Sequence, residues 1–125
     1  MGSASALEIA SRQPDDIEGL IIESGFAHVI PLLHRIGVDL AAAGIQEPME
    51  MGHLSKIASF VKPTLIIHAE FDHIIPFSDG QALYDRSPAA VKFLVKIEGA
   101  DHNSIFYHGA ETYLQAVHRL IGRLA

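Results

Sequence analysis

Three short apolar runs, separated by segments with helical periodicity, constrain the fold of this chain more than any other sequence feature. They are rich in β-branched residues, as buried strands are, and span residues 17–22, 64–67 and 91–97. Apolar residues recur at helical intervals in residues 3–13, 29–36, 53–60, 80–86 and 108–124. Strands that alternate with helices favour parallel β-α-β units. The pattern therefore predicts an α/β fold with three α/β/α layers around a small, mainly parallel sheet.

Length and charge limit the domain count and the partners. The 125 residues suit a single domain spanning residues 1–125, and no repeat or linker divides them. A formal net charge of −6 argues against nucleic acid as a partner. No apolar run approaches the roughly 20 residues of a membrane helix, and no secretory signal begins the chain. A cytoplasmic protein without a membrane partner is therefore expected, and the lack of cysteine fits a reducing compartment.

The sequence contains no pattern typical of a metal or cofactor site. The eight histidines include no His-x-x-x-His pair, and no carboxylate is placed to complete a zinc site. The glycines form no Gly-x-Gly-x-x-Gly pattern for a nucleotide phosphate. We therefore expect neither a metal nor a cofactor.

Two polar loops carry the candidate functional residues, Asp72 and His102. Asp72 follows the run 64–67, and His102 follows the run 91–97. The carboxyl ends of parallel strands meet at one edge of a sheet, so an acid there can orient a histidine base. Taken singly, an aspartate after a strand is also typical of a turn, and a loop histidine is also typical of a solvated surface.

These two loops resemble those of the α/β-hydrolase superfamily, which includes serine esterases and peptidases. The segment His68-Ala69-Glu70-Phe71-Asp72-His73-Ile74-Ile75-Pro76 is similar to the acid loop of that family, and Gly99-Ala100-Asp101-His102 is similar to its histidine loop. The resemblance implies that Asp72 is the triad acid and His102 the triad base, acting on a small-molecule acyl substrate. It covers nearly the whole chain and corresponds to the C-terminal half of the α/β-hydrolase fold.

The start of the chain departs from the family pattern. The nucleophile elbow has the form Gly-x-Ser-x-Gly, and Met1-Gly2 is similar to its last two positions. The nucleophilic serine would then stand one position before Met1, and we expect the chain alone to be inactive. Ser3 and Ser5 lie in or beside a helix, and Ser24 follows the wrong strand, so none of the three is a good nucleophile.

Residues 25–60 occupy the position of the cap or lid in the superfamily. Their apolar side chains either line an acyl pocket or pack on the sheet; they are Phe26, Val29, Ile30, Leu33 and Ile36. An alternative function is a non-catalytic α/β module. In that reading the strand at residues 17–22 has an open edge, through which the chain forms homo-oligomers or binds a partner chain.

Overall fold

The computed structural model describes residues 2–45 and 52–124. The helices are α1 (Gly2–Arg12), α2 (Val29–Arg35), α3 (His53–Ala58), α4 (Phe77–Arg86) and α5 (Ile105–Ile121). The strands are β1 (Leu20–Glu23), β2 (Thr64–Ala69) and β3 (Lys92–Ile97), and a 3₁₀ turn covers Pro14–Asp16. All three predicted strands are present, and each is preceded or followed by helices as the periodicity predicts.

The sheet is parallel throughout, with strand order β1-β2-β3. Thr64 is the register partner of Leu20 on one side and of Lys92 on the other. Every residue of the central strand β2 is buried, which explains its continuous apolar run. The parallel order brings the loops after β2 and β3 to the same edge of the sheet.

Helices cover both faces of the sheet and produce the three predicted layers. On one face, Ile22 and Ile66 pack with Leu7 of α1, Ile57 of α3 and Leu83 of α4. The opposite face is covered by α5, and its buried cluster contains Leu65, Ile67, Ala69, Ile97, Ala100, Ile105, Ala116 and Leu120. Burial of each large aliphatic side chain contributes about 1.5–3 kcal/mol, so both layers stabilise the sheet.

An ion pair joins α1 to α3 at the surface. Lys56 Nζ lies 2.6 Å from a carboxylate oxygen of Glu8, and Arg12 also pairs with Glu8. The pKa of Glu8 is lowered, chiefly by the hydrogen bond from Lys56 and further by the positive charges of Arg12 and Lys56. Together these effects outweigh desolvation, which acts in the opposite direction. The ion pair thus links the surfaces of α1 and α3.

Four predicted boundaries are each wrong by three residues, at the starts of β1 and α4 and at both ends of α5. The strand predicted for residues 17–22 starts at Leu20, whose amide donates to the Pro63 carbonyl at 2.9 Å and opens the ladder with β2. Helix α4 begins at Phe77, before the predicted interval 80–86, and the Asp79 carboxylate in its first turn accepts the Ala27 amide at 2.9 Å. The last helix begins at Ile105, three residues before the predicted start, and ends at Ile121.

Candidate active site

Asp72 lies in the loop after β2, with its side chain fully buried. Its Oδ1 atom accepts two main-chain hydrogen bonds, from the Ile74 amide at 3.0 Å and the Ile75 amide at 2.8 Å. A buried carboxylate needs such donors, because an unpaired one would cost several kcal/mol of desolvation. The loop therefore fixes the carboxylate and leaves Oδ2 for another partner.

His102 lies in the loop after β3, which is tied to the Asp72 loop by main-chain contact. The Phe71 amide donates to the Ala100 carbonyl at 2.9 Å, and Gly99 turns the chain with a φ of +74°. Just before His102, the Asp101 carboxylate accepts the Asn103 amide and the Ser104 hydroxyl, each at 2.9 Å. These two hydrogen bonds lower the pKa of Asp101, and the bond from the Asn103 amide has the larger effect.

The structure brings Asp72 and His102 into direct contact. His102 Nδ1 lies 2.7 Å from Asp72 Oδ2, and the imidazole is 28% exposed while the carboxylate is fully buried. A carboxylate only accepts hydrogen bonds, so Nδ1 carries the proton and donates it. In the neutral imidazole, Nε2 then holds a lone pair that can take a proton from a reacting group.

His102 lines an open cavity of about 360 Å³. The other lining residues come from the start of α1, from β1 and the residue after it, and from the acid loop; they are Gly2, Ser3, Ala6, Ile21, Ile22, Glu23, Ser24 and Ile75. The first turn of α1 thus borders the space beside the imidazole. Free amides at a helix N-terminus favour negative charge in such a position.

None of the serines within residues 2–45 and 52–124 is hydrogen-bonded to His102. Ser3 and Ser24 line the cavity, whereas Ser5 is exposed elsewhere on α1. The Ser24 hydroxyl is buried without a hydrogen-bond partner, and Ser24 has a φ of +50°, which is unusual for a residue with a side chain. A buried hydroxyl that donates to no base is not activated for attack.

In the described part of segment 25–60, the apolar residues near its start pack beside the acid loop. Phe26, Val29 and Leu32 form a buried cluster with Ile75, while Ile36 is 56% exposed. The backbone of this segment is held by His53 Nδ1, which lies 2.9 Å from the Phe26 carbonyl oxygen. Ile75 lines the cavity at His102, whereas none of these residues from segment 25–60 does.

A hydrogen bond that the sequence did not predict involves Glu23 of the cavity lining. Tyr113 of α5 donates its hydroxyl proton to the Glu23 carboxylate, with the two oxygens 2.7 Å apart. Burial, followed by the hydrogen bond and the negative charge of Glu23, raises the pKa of Tyr113 to about 12. Glu23 thereby joins the cavity lining to the opposite layer of the fold.

His68 is the second site neighbour that sequence reasoning missed. It is completely buried in β2, and its Nε2 lies 2.7 Å from the Ile75 carbonyl oxygen. The sequence does contain one indication of this role, because His68 follows an apolar run that predicts a buried strand. A polar side chain in such a strand needs a hydrogen-bond partner.

No cluster of three or more histidine or acidic side chains suited to a metal ion occurs in the described part of the chain. None of its helices is both long and apolar enough to cross a bilayer.

Comparison with known proteins identifies relatives by sequence. Alpha/beta hydrolase domain-containing protein aho-3 of Caenorhabditis elegans is 30% identical over 124 residues, which is 97% of this chain and 33% of the relative. Alpha/beta hydrolase domain-containing protein 17C of Xenopus tropicalis is 45% identical over 67 residues, or 54% of this chain and 20% of the relative. No family model matches the sequence. The chain thus spans a third or less of these two relatives.

A solved structure shows the same fold. The monoacylglycerol lipase of Paleococcus ferrophilus superposes with a TM-score of 0.70 at 19% identity. The match covers 97% of this chain and 65% of the lipase chain. At this identity the likeness establishes the fold alone.

Proposed function

Because the chain belongs to the α/β-hydrolase superfamily, we propose that it supplies the acid and the base for hydrolysis of an ester or a related acyl bond. The observation that carries the proposal is the 2.7 Å hydrogen bond from His102 Nδ1 to the buried Asp72 carboxylate. This geometry leaves Nε2 unprotonated beside a cavity that can admit a small acyl substrate.

In the proposed mechanism, His102 Nε2 removes the proton from a nucleophilic hydroxyl as its oxygen attacks the acyl carbon. The imidazole becomes positively charged, and the buried carboxylate of Asp72 stabilises that charge and holds the ring. The same proton then passes to the departing alkoxide, which leaves as an alcohol while the acyl group stays on the nucleophile. His102 Nε2 next takes a proton from a water molecule, whose oxygen attacks that acyl group, and returns the proton to the nucleophile oxygen as the carboxylic acid leaves. Asp72 keeps its negative charge throughout, since it orients the ring and takes no proton.

We place the nucleophile outside the described residues. Within those residues no hydroxyl is hydrogen-bonded to His102, and the resemblance puts the nucleophilic serine next to α1, whose first turn borders the cavity. Amides at that turn would stabilise the oxyanion of the tetrahedral intermediate. The isolated chain is therefore expected to hydrolyse esters no faster than background.

An assay with p-nitrophenyl acetate tests the proposal in two forms of the protein. The isolated chain should show background hydrolysis only. A chimera in which this chain replaces the matching segment of the C. elegans relative should hydrolyse the ester. His102→Ala should reduce its kcat by at least about a thousandfold, because the base would be lost.

His118→Ala is the matched control, since His118 is an exposed histidine on α5 outside the cavity. It should leave turnover by the chimera unchanged. Full activity in the His102→Ala chimera would refute the role of His102. Hydrolysis by the isolated chain that depends on His102 would refute the placement of the nucleophile.

We also propose that residues 25–45 and 52–60 act as a cap over the site; residues 46–51 of the predicted cap lie outside the described part of the chain. The cluster of Phe26, Val29 and Leu32 touches Ile75, which borders the cavity. Val29→Ser in the chimera should raise the KM for long-chain esters more than that for acetate. An equal change for both ester classes would contradict this role.

A second candidate function is association through the outer edge of β1. In the described part of the chain no strand pairs with this edge, and Ile21 beside it is 38% exposed. An open edge strand can pair with a second copy, and a lysine on the edge opposes such pairing. Light scattering should show a dimer that Ile21→Lys disrupts and Ile121→Lys, on exposed α5 surface, does not. A monomer at all concentrations would reject this function.

A further inference from the structure

His68 lies beneath the acid loop without touching the cavity. It occupies β2 on the same face as Ile66 and is completely buried. Helix α4 covers its ring closely: a Cβ at Gly80 would lie 2.7 Å from Nδ1, and the Phe77 ring meets the imidazole edge-on at 6.0 Å between centroids. The ring therefore has a fixed position.

The hydrogen bonds of His68 define its tautomer. Nε2 lies 2.7 Å from the Ile75 carbonyl oxygen, which can only accept, so Nε2 carries the proton. Nδ1 is buried and has no hydrogen-bond partner in residues 2–45 and 52–124. The donor of His68 is thus committed to one acceptor in the acid loop.

Ile75 connects His68 to Asp72 through its main chain. Its amide donates to Asp72 Oδ1 at 2.8 Å, and its carbonyl accepts from His68. A shift of the Ile75 backbone would therefore turn the carboxylate as well. The imidazole holds the loop in the position that aims Oδ2 at His102.

The same hydrogen bond prevents competition for Oδ2. His68 Nε2 lies 3.7 Å from Asp72 Oδ2, which is beyond hydrogen-bond distance, whereas His102 Nδ1 is at 2.7 Å. Since the His68 proton is directed to the Ile75 carbonyl, Asp72 Oδ2 remains available to His102.

We propose that His68 is a positioning residue, which fixes the Asp72 carboxylate for His102 through the main chain of Ile75. Its importance for turnover rests on the proposed function, but its effect on the Asp72–His102 pair can be measured without any turnover. Failure of the ester assay and failure of this proposal are therefore distinguishable.

The experiment follows the Nδ1 proton of His102 by NMR in the ¹⁵N-labelled full chain. The unmodified chain should show a downfield Nδ1–H resonance, which Asp72→Ala abolishes and so assigns. His68→Leu removes the donor to Ile75 and should cause loss of that resonance. His68→Gln carries an amide that reaches a position close to Nε2 and should restore it, whereas the shorter amide of His68→Asn should not.

His53→Leu is the matched control, because it removes another buried imidazole whose Nδ1 bonds a main-chain carbonyl. It should keep the His102 resonance. If His68→Leu does not fold, the His102 resonance is compared between His68→Gln and His68→Asn, and this comparison tests the proposal. Three outcomes would each overturn the proposal. The first is an unchanged His102 resonance in folded His68→Leu, and the second is the same resonance behaviour in His68→Gln and His68→Asn. The third is loss of the resonance in His53→Leu to the same extent as in His68→Leu.

Discussion

No side chain fits between Gly80 of α4 and the buried ring of His68. A Cβ on Gly80 would lie 2.7 Å from Nδ1 of the imidazole, closer than real Cβ atoms approach, and 3.0 Å from its Cγ, which is a tight contact. The absence of a side chain at residue 80 is therefore what lets α4 pack directly on β2 beneath the acid loop.

Gly80→Ala should lower the free energy of unfolding by up to about 2 kcal/mol. Overpacking a filled core costs about 1–3 kcal/mol, and the better helix propensity of alanine offsets only about 1 kcal/mol of that. Urea denaturation followed by circular dichroism measures the change. Gly2→Ala, where a Cβ meets nothing within 4 Å, is the control and should not destabilise the fold. Equal stability of the two variants would contradict the packing argument.

Asp72→Asn should move the proton of His102 from Nδ1 to Nε2. The asparagine oxygen can still accept the amides of Ile74 and Ile75, so its NH₂ group faces His102 and requires an acceptor there. Ring ¹⁵N chemical shifts distinguish the two tautomers. Asp79→Asn changes a different carboxylate, one that accepts the Ala27 amide, and should leave the His102 tautomer unaltered. Retention of the Nδ1 proton in Asp72→Asn would argue against the described pairing.

Tyr113 should ionise with a pKa of about 12 in the folded protein, above its ordinary value of 10. Folding favours the protonated phenol, so this stabilising contribution is complete below about pH 10 and is lost as the pH rises toward 12. Absorbance at 295 nm follows the titration. Glu23→Gln removes the negative charge and should lower the pKa, while Tyr113→Phe should delete the late-titrating component. A titration unaffected by Glu23→Gln would disprove the contribution of that charge.

Ser24→Gly should raise the free energy of unfolding by about 1 kcal/mol. Glycine adopts a positive φ without the cost of about 1–2 kcal/mol that other residues incur, and the variant removes a buried hydroxyl without a partner. The greater conformational freedom of glycine in the unfolded chain offsets about half of the stability gained from relieving the positive φ. Ser24→Ala removes only the hydroxyl and should stabilise less than Ser24→Gly. Destabilisation by Ser24→Gly, measured by thermal unfolding, would contradict this expectation.

The sequence predicted the parallel α/β architecture and the loop positions of Asp72 and His102, because apolar periodicity reports burial directly. It did not predict where β1 begins, since Ile17 is as apolar as Ile22 and only the bond from Leu20 to Pro63 opens the ladder. Nor did it identify His68, whose partner is a main-chain carbonyl that any residue could supply at position 75. Main-chain acceptors carry no sequence signature, so such partners become visible only in three dimensions.

The parallel sheet described above also has a consequence for the order of folding. Asp72, His102, His68 and Ile75 all belong to the unit formed by β2, α4, β3 and the loops that follow the two strands. Contacts that close shorter loops form earlier, since less chain entropy is lost. The pairing of Leu20 with Thr64 requires closure of a longer loop, whose described residues include α2 and α3. We therefore expect the acid and the histidine to meet before β1 joins the sheet and completes the cavity wall.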